Sequence, residues 1–106
     1  MKKSLLVIAA ALAASTGAYA VDGAAAAALA KKSACLSCHA ADKKMVGPSY
    51  KDVAAKYKGM AAEELAKSIK AGGKGKWGPV PMPAQPKLSE EDAKTLAAWI
   101  LAGAPN

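Results

Sequence analysis

Five consecutive residues, Cys35-Leu36-Ser37-Cys38-His39, hold both cysteines and the single histidine of a 106-residue chain. Thiols three positions apart lie on one face of a helical turn, so both can reach the two vinyl groups on one edge of a porphyrin. The adjacent imidazole can then reach the iron. C-x-x-C-H therefore reads as an attachment site for c-type haem, with Cys35 and Cys38 as thioether tethers and His39 as proximal ligand. Three rivals share part of the pattern. A structural zinc takes about four Cys, His or carboxylate ligands, and the chain has no second C-x-x-C and no partner histidine. A thioredoxin-like dithiol sits at the strand–helix junction of a βαβ unit, and no stretch here reads as a convincing strand. A plain Cys35–Cys38 disulfide is the remaining alternative.

Ahead of the motif, Lys2-Lys3 is followed by an apolar run from Leu5 to Ala14, then Ser15-Thr16-Gly17 and Ala18-Tyr19-Ala20. A basic start, a short apolar stretch and small residues where a signal peptidase reads make residues 1–20 a secretory signal peptide. The run is too short to cross a bilayer comfortably, which makes an uncleaved anchor the weaker alternative. Cleavage after Ala20 would leave one exported domain, residues 21–106.

A domain of that size buries a modest core and often leans on a metal, a disulfide or a cofactor. This one has no phenylalanine and is rich in alanine. A haem would supply the missing apolar bulk, so the apoprotein is expected to be largely unfolded. All fifteen basic residues are lysines, against eight acidic ones. Without Lys2 and Lys3, thirteen lysines face those eight acids, a net charge of +5. Two ionised haem propionates would lower it to about +3. An exported chain with no arginine and no binding motif is a poor match for nucleic acid. An acidic docking site on another protein suits it better.

Helical segments frame the motif. DGAAAAALAKKS, from Asp22 to about Ser33, has strong helix propensity, with Asp22 as N-cap and the cysteines carried on its last turn. A floppy Ala-rich tether is the alternative, because isolated helices this short are marginal. Gly47-Pro48 then punctuates the chain. YKDVAAKY, from Tyr50 to Tyr57, reads as a short helix with Val53, Ala54 and Tyr57 on one face. Another runs from about Ala61 to Ala71, with Leu65 and Ile69 stacked, acids near its start and Gly72-Gly73 as its stop. Ser89 caps a last helix in which Ala93, Leu96, Ala97 and Ile100 recur at helical spacing, until Gly103 ends it. The whole reads as all-α, with four short helices and one ordered loop.

That loop, GGKGKWGPVPMPAQP from Gly72 to Pro86, has too many prolines and glycines to be helical. A long loop in a small domain is usually functional. Met82 stands between Pro81 and Pro83, whose rings stiffen the backbone and fix the direction of the side chain. A neutral thioether opposite His39 would favour reduced iron and raise the potential, as an electron carrier needs. Core filling is the ordinary role of a methionine, but core methionines normally ride helices. Met45, six residues after His39, and Met60, at a helix junction, are the competing sixth ligands.

The succession of a helix, CLSCH, MVGPSYKDVAAKY, ELAKSIKAGGKGKWGPVPMP and SEEDAKTLAAWIL resembles a short bacterial class I cytochrome c of the cytochrome c-551 type. The likeness covers essentially all of residues 21–106. It implies a class I cytochrome c fold, with about four short helices around one haem c bound through Cys35 and Cys38. It implies His39 and Met82 as axial ligands. The Pro48 carbonyl would accept the bond from the His39 ring N–H and fix the tautomer. Trp77 matches the tryptophan whose indole N–H approaches a haem propionate, simple packing being the other reading. Two positions depart from the family: Gln85 stands where an asparagine often helps hold the methionine sulfur, and Ala30 where an aromatic often meets the terminal helix.

The function implied is a soluble, monomeric, periplasmic one-electron carrier and not an enzyme. It would dock on acidic patches of redox proteins, with a membrane cytochrome complex as donor and a terminal oxidase or nitrite reductase as acceptor. If Met82 is not a ligand, a five-coordinate haem sensor or weak peroxidase is the alternative. A structural metal or disulfide module is the third reading.

Overall fold

The structure, a computed structural model, describes residues 22–105; the proposed signal peptide over residues 1–20 lies outside them. Four helices form, three of them with a side chain satisfying the open N-terminal end: α1 (Gly23–Lys32), α2 (Tyr50–Lys56), α3 (Ala62–Ala71) and α4 (Glu90–Leu101). Each first turn leaves backbone N–H groups without helical partners. The Asp22 carboxylate accepts from Ala25 N–H at 3.1 Å, Ser49 Oγ from Asp52 N–H at 3.1 Å, and Ser89 Oγ from Asp92 N–H at 3.0 Å. Helix α3 has no side-chain cap and instead places Glu63 and Glu64 in its first turn, where the helix dipole favours negative charge.

Helix α4 organises the packing, since it touches α1, α2 and α3. It buries Ala93, Leu96, Ala97, Trp99 and Ile100, while α1 buries Ala26 and Ala30, and α3 buries Leu65 and Ile69. Alanines 26, 30, 93 and 97 are completely buried. Small side chains let helix backbones approach closely, so Ala30 serves as a contact surface. The Trp99 indole N–H donates to the Pro105 carbonyl at 2.7 Å and holds the chain beyond α4 against the core. Among the described residues there is no strand, only an isolated bridge between Gly73 and Met82, and no helix is long and apolar enough to cross a membrane.

One local expectation fails. The cysteines do not ride the last turn of α1, which stops at Lys32 with Ser33 as its C-cap. Ala34 adopts a left-handed conformation (φ +64°), and a separate 3₁₀ turn follows at Cys35–Ser37. The Ala34 N–H bonds to Lys31 and the Ser33 N–H to Leu29, closing off the helix. Cys35 opens this turn and Cys38 is its C-cap, with the Cys38 N–H bonded back to the Cys35 carbonyl at 3.1 Å, so the C-x-x-C-H segment forms its own short turn.

Candidate functional site

A cleft of about 450 Å³ opens in one side of the molecule, within the range of cofactor sites. Its inner surface is apolar and is made by Val53 of α2, Leu65 and Ile69 of α3, and Leu96 and Ile100 of α4. One wall comes from residues 35–50 and another from residues 72–83. All six residues singled out in the sequence (Cys35, Cys38, His39, Pro48, Trp77 and Met82) line this one cleft.

The first wall is braced by its backbone. Gly47 N–H donates to the Cys38 carbonyl at 2.7 Å, Tyr50 N–H to Ala40 at 2.9 Å and Lys51 N–H to Ala41 at 3.0 Å. These bonds fold residues 40–49 back beneath the C-x-x-C-H turn. His39 Nδ1 stands 2.7 Å from the Pro48 carbonyl oxygen. A carbonyl only accepts, so Nδ1 carries the proton and the Nε2 lone pair is free for a metal. Gly47 lies against the imidazole so closely that a Cβ there would stand 2.6 Å from Cε1. The Tyr50 ring stacks on it, with centroids 5.1 Å apart and planes 20° from parallel. No disulfide joins Cys35 to Cys38. Burial pushes the Cys35 thiol above its ordinary pKa, and burial likewise raises that of Tyr50.

The second wall hangs from the end of α3. Gly72, at φ +71°, turns the chain sharply, and a Cβ there would meet the Met82 carbonyl oxygen at 2.5 Å. Gly73 and Met82 exchange two backbone hydrogen bonds of 3.0 and 2.7 Å, and Gln85 N–H donates to Lys70 at 2.8 Å. The Met82 backbone is thereby fixed to the C-terminus of α3, and its half-buried side chain packs on the core. The Gln85 amide donates to the Pro83 carbonyl at 3.4 Å, tying the loop to itself. Met45 also lines the cleft but is exposed, and its N–H bonds to Gly47, within the wall that carries His39. Met60 packs beside the core instead.

Trp77 caps the loop. Its indole meets Tyr57 edge to face at 6.2 Å, and the Lys56 ammonium sits 4.6 Å from its ring centre. Aromatic rings attract cations in this geometry, so the last turn of α2 holds the loop tip. Met45, Val46, Trp77 and Val80 leave apolar surface exposed around the opening, beside Lys44, Lys74 and Lys76.

This arrangement fits a haem. The two cysteines of the C-x-x-C-H turn, an imidazole in the metal-binding tautomer and a loop thioether border an apolar slot that the protein core leaves open. Among the described residues, no group of three His, Cys, Asp or Glu could hold a bare metal ion, which removes support from the zinc reading. Sequence reasoning passed over Tyr50 and the close approaches of Gly47 and Gly72. An aromatic two residues after Gly47-Pro48 was the available signal for Tyr50.

Comparison with known proteins agrees with the geometry. The cytochrome c family model matches residues 23–104. Cytochrome c-551 of Azotobacter vinelandii is 58% identical over 73 residues, covering 67% of this chain and 88% of that protein. The crystal structure of wild-type Nitrosomonas europaea cytochrome c552 superposes with a TM-score of 0.67 at 53% identity, over 71% of this chain and 95% of that one. The class 1 cytochrome MtoD from Sideroxydans lithotrophicus ES-1 gives 0.69 at 38% identity, over 81% and 100%. Sequence, fold and cleft converge on one assignment: the chain belongs to the cytochrome c family, as a class I member of the c-551 type that binds one haem c covalently and serves electron transport.

Proposed function

We propose that this protein is a monomeric, soluble one-electron carrier of the periplasm, with His39 and Met82 as axial ligands. Residues 1–20 would direct export and be removed. It is not an enzyme on this reading. Its partners are redox proteins with acidic docking patches, a membrane cytochrome complex as donor and a terminal oxidase or nitrite reductase as acceptor.

The observation that carries the ligand assignment is the presence of His39 and Met82 in two separately braced walls of one apolar cleft. Bound haem supplies the one-electron couple there. The residues do the rest by holding still. Pro48 keeps the proton on Nδ1 and leaves Nε2 to the iron. The Gly73–Met82 bonds and flanking prolines fix the thioether, and a neutral sulfur donor favours the reduced state. The apolar lining limits water, so little reorganises as the charge changes. Pro79, Val80 and Pro81 border the opening and offer a short route for an electron.

The test is Met82→Ala. The oxidised variant should lose the absorption band of methionine–iron ligation and bind added imidazole, its reduced form should bind carbon monoxide, and peroxidase activity should appear. An unaltered low-spin, methionine-ligated spectrum would give the sixth position to Met45 or Met60.

A further inference from the structure

The His39 ring is gripped on more sides than its hydrogen bond requires. Pro48 takes the Nδ1–H, and the Gly47 backbone closes one approach. Neither fixes the plane of the ring by itself, since an imidazole can tilt about a single hydrogen bond. Tyr50 provides what they lack. Its ring lies 20° from parallel with the imidazole at 5.1 Å, an offset stack.

Tyr50 cannot readily move. It is 3% exposed, and the Trp99 indole meets it edge to face at 5.3 Å and 65°. Trp99 is in turn fixed by its bond to the Pro105 carbonyl. The main chain of Tyr50 is tied to Ala40, the residue after His39, at 2.9 Å. A row of aromatic contacts thus runs from the imidazole into the packing of α4.

We propose that Tyr50 is a positioning residue that sets the plane of the His39 imidazole over the haem, with Trp99 as its support. This rests on the reading of His39 as axial ligand. The orientation of that plane decides how the unpaired electron of oxidised iron is shared between the haem axes. It therefore affects how well the iron couples to each edge of the ring. A tyrosine that fixes the plane holds this coupling constant from one turnover to the next.

The test uses the mature holoprotein and the proton shifts of the haem methyl groups in the oxidised state, together with its g anisotropy. Both depend on the ligand planes. Tyr50→Leu should shift the methyl pattern away from wild type, while Tyr50→Phe, which keeps the ring and drops the hydroxyl, should retain it. Leu88→Ala, a core truncation away from the cleft, should leave it in place despite lower stability. If Tyr50→Leu does not mature, Tyr50→Met carries the same test. The inference is overturned if the leucine or methionine variant keeps the wild-type pattern, if the phenylalanine variant shifts as far as leucine, or if Leu88→Ala shifts it equally. Failure of the ligand reading itself looks different: wild type would then lack a histidine-ligated low-spin signal.

Discussion

His39 and Gly47 are in contact without a side chain between them. Only a hydrogen on the Gly47 α-carbon leaves room for the imidazole, because a methyl there would stand 2.6 Å from Cε1 and 2.9 Å from Nδ1. Gly47→Ala must push the ring off the Pro48 carbonyl or shift the strap that carries it. Overpacking of this kind costs about 1–3 kcal/mol. Denaturant unfolding of the holoprotein should show that loss, with weaker histidine ligation in the absorption spectrum. An alanine variant as stable as wild type would mean that the strap yields freely.

Gly72 stands in the same relation to Met82. Its φ of +71° is unfavourable for other residues, and its missing Cβ faces the Met82 carbonyl, Ala84 and Pro83. Gly72→Ala should therefore displace the loop while the helices stay paired. The expected result is a lowered reduction potential and a weakened methionine–iron band, with far-UV circular dichroism unchanged. Intact methionine ligation in this variant would count against Met82 as ligand.

Ala34 gives the opposite sign. It holds φ +64° between α1 and the C-x-x-C-H turn, a conformation that costs an L-residue about 1–2 kcal/mol. Ala34→Gly removes that strain but adds freedom to the unfolded chain. A net gain of up to about 1 kcal/mol is expected, read as a higher thermal midpoint of the holoprotein. A clear loss of stability would show that the methyl makes a contact outweighing the strain.

Lys44, Lys74 and Lys76 line the cleft opening among exposed apolar residues. Positive charge near the exposed edge should steer an acidic partner, raising the rate of encounter far more than the final affinity. Screening acts over about 8–10 Å at physiological salt. The bimolecular rate of electron transfer should fall about tenfold or more from low to high ionic strength, with the potential nearly constant. Reversing the charge at Lys74 or Lys76 should slow it further and flatten the salt dependence. Rates that stay flat or rise with salt in wild type would assign docking to the apolar surface around Val80.

Much of this was legible in the chain because the signals were local. Ser89 is a cap followed three residues later by an acid, and α4 begins at the next residue; Ser49 caps α2 in the same pattern, which the sequence reading left unnamed. Leu65 and Ile69 repeat at helical spacing and are buried together. The end of α1 was not legible, because alanine has no preference that marks a left-handed turn and a lysine–serine run does not forbid another helical turn. The six cleft residues came from motif and resemblance. Tyr50 needed three dimensions: its sequence neighbours explain a helix start, while its contacts with His39 and Trp99 depend on how α2 crosses α4.

The packing of α4 also sets an order of events in the making of the protein. In chain order the C-x-x-C-H turn precedes α4, the helix that touches all three others. Until α4 arrives, Leu96, Ile100 and Trp99 are missing from the cleft and from the support behind Tyr50. A chain in which α4 has not docked therefore leaves the two thiols open, the state in which haem can be joined to them. Closure follows with the last helix, so a truncation within α4 should leave haem attachment possible while denying the product a stable, ligated fold.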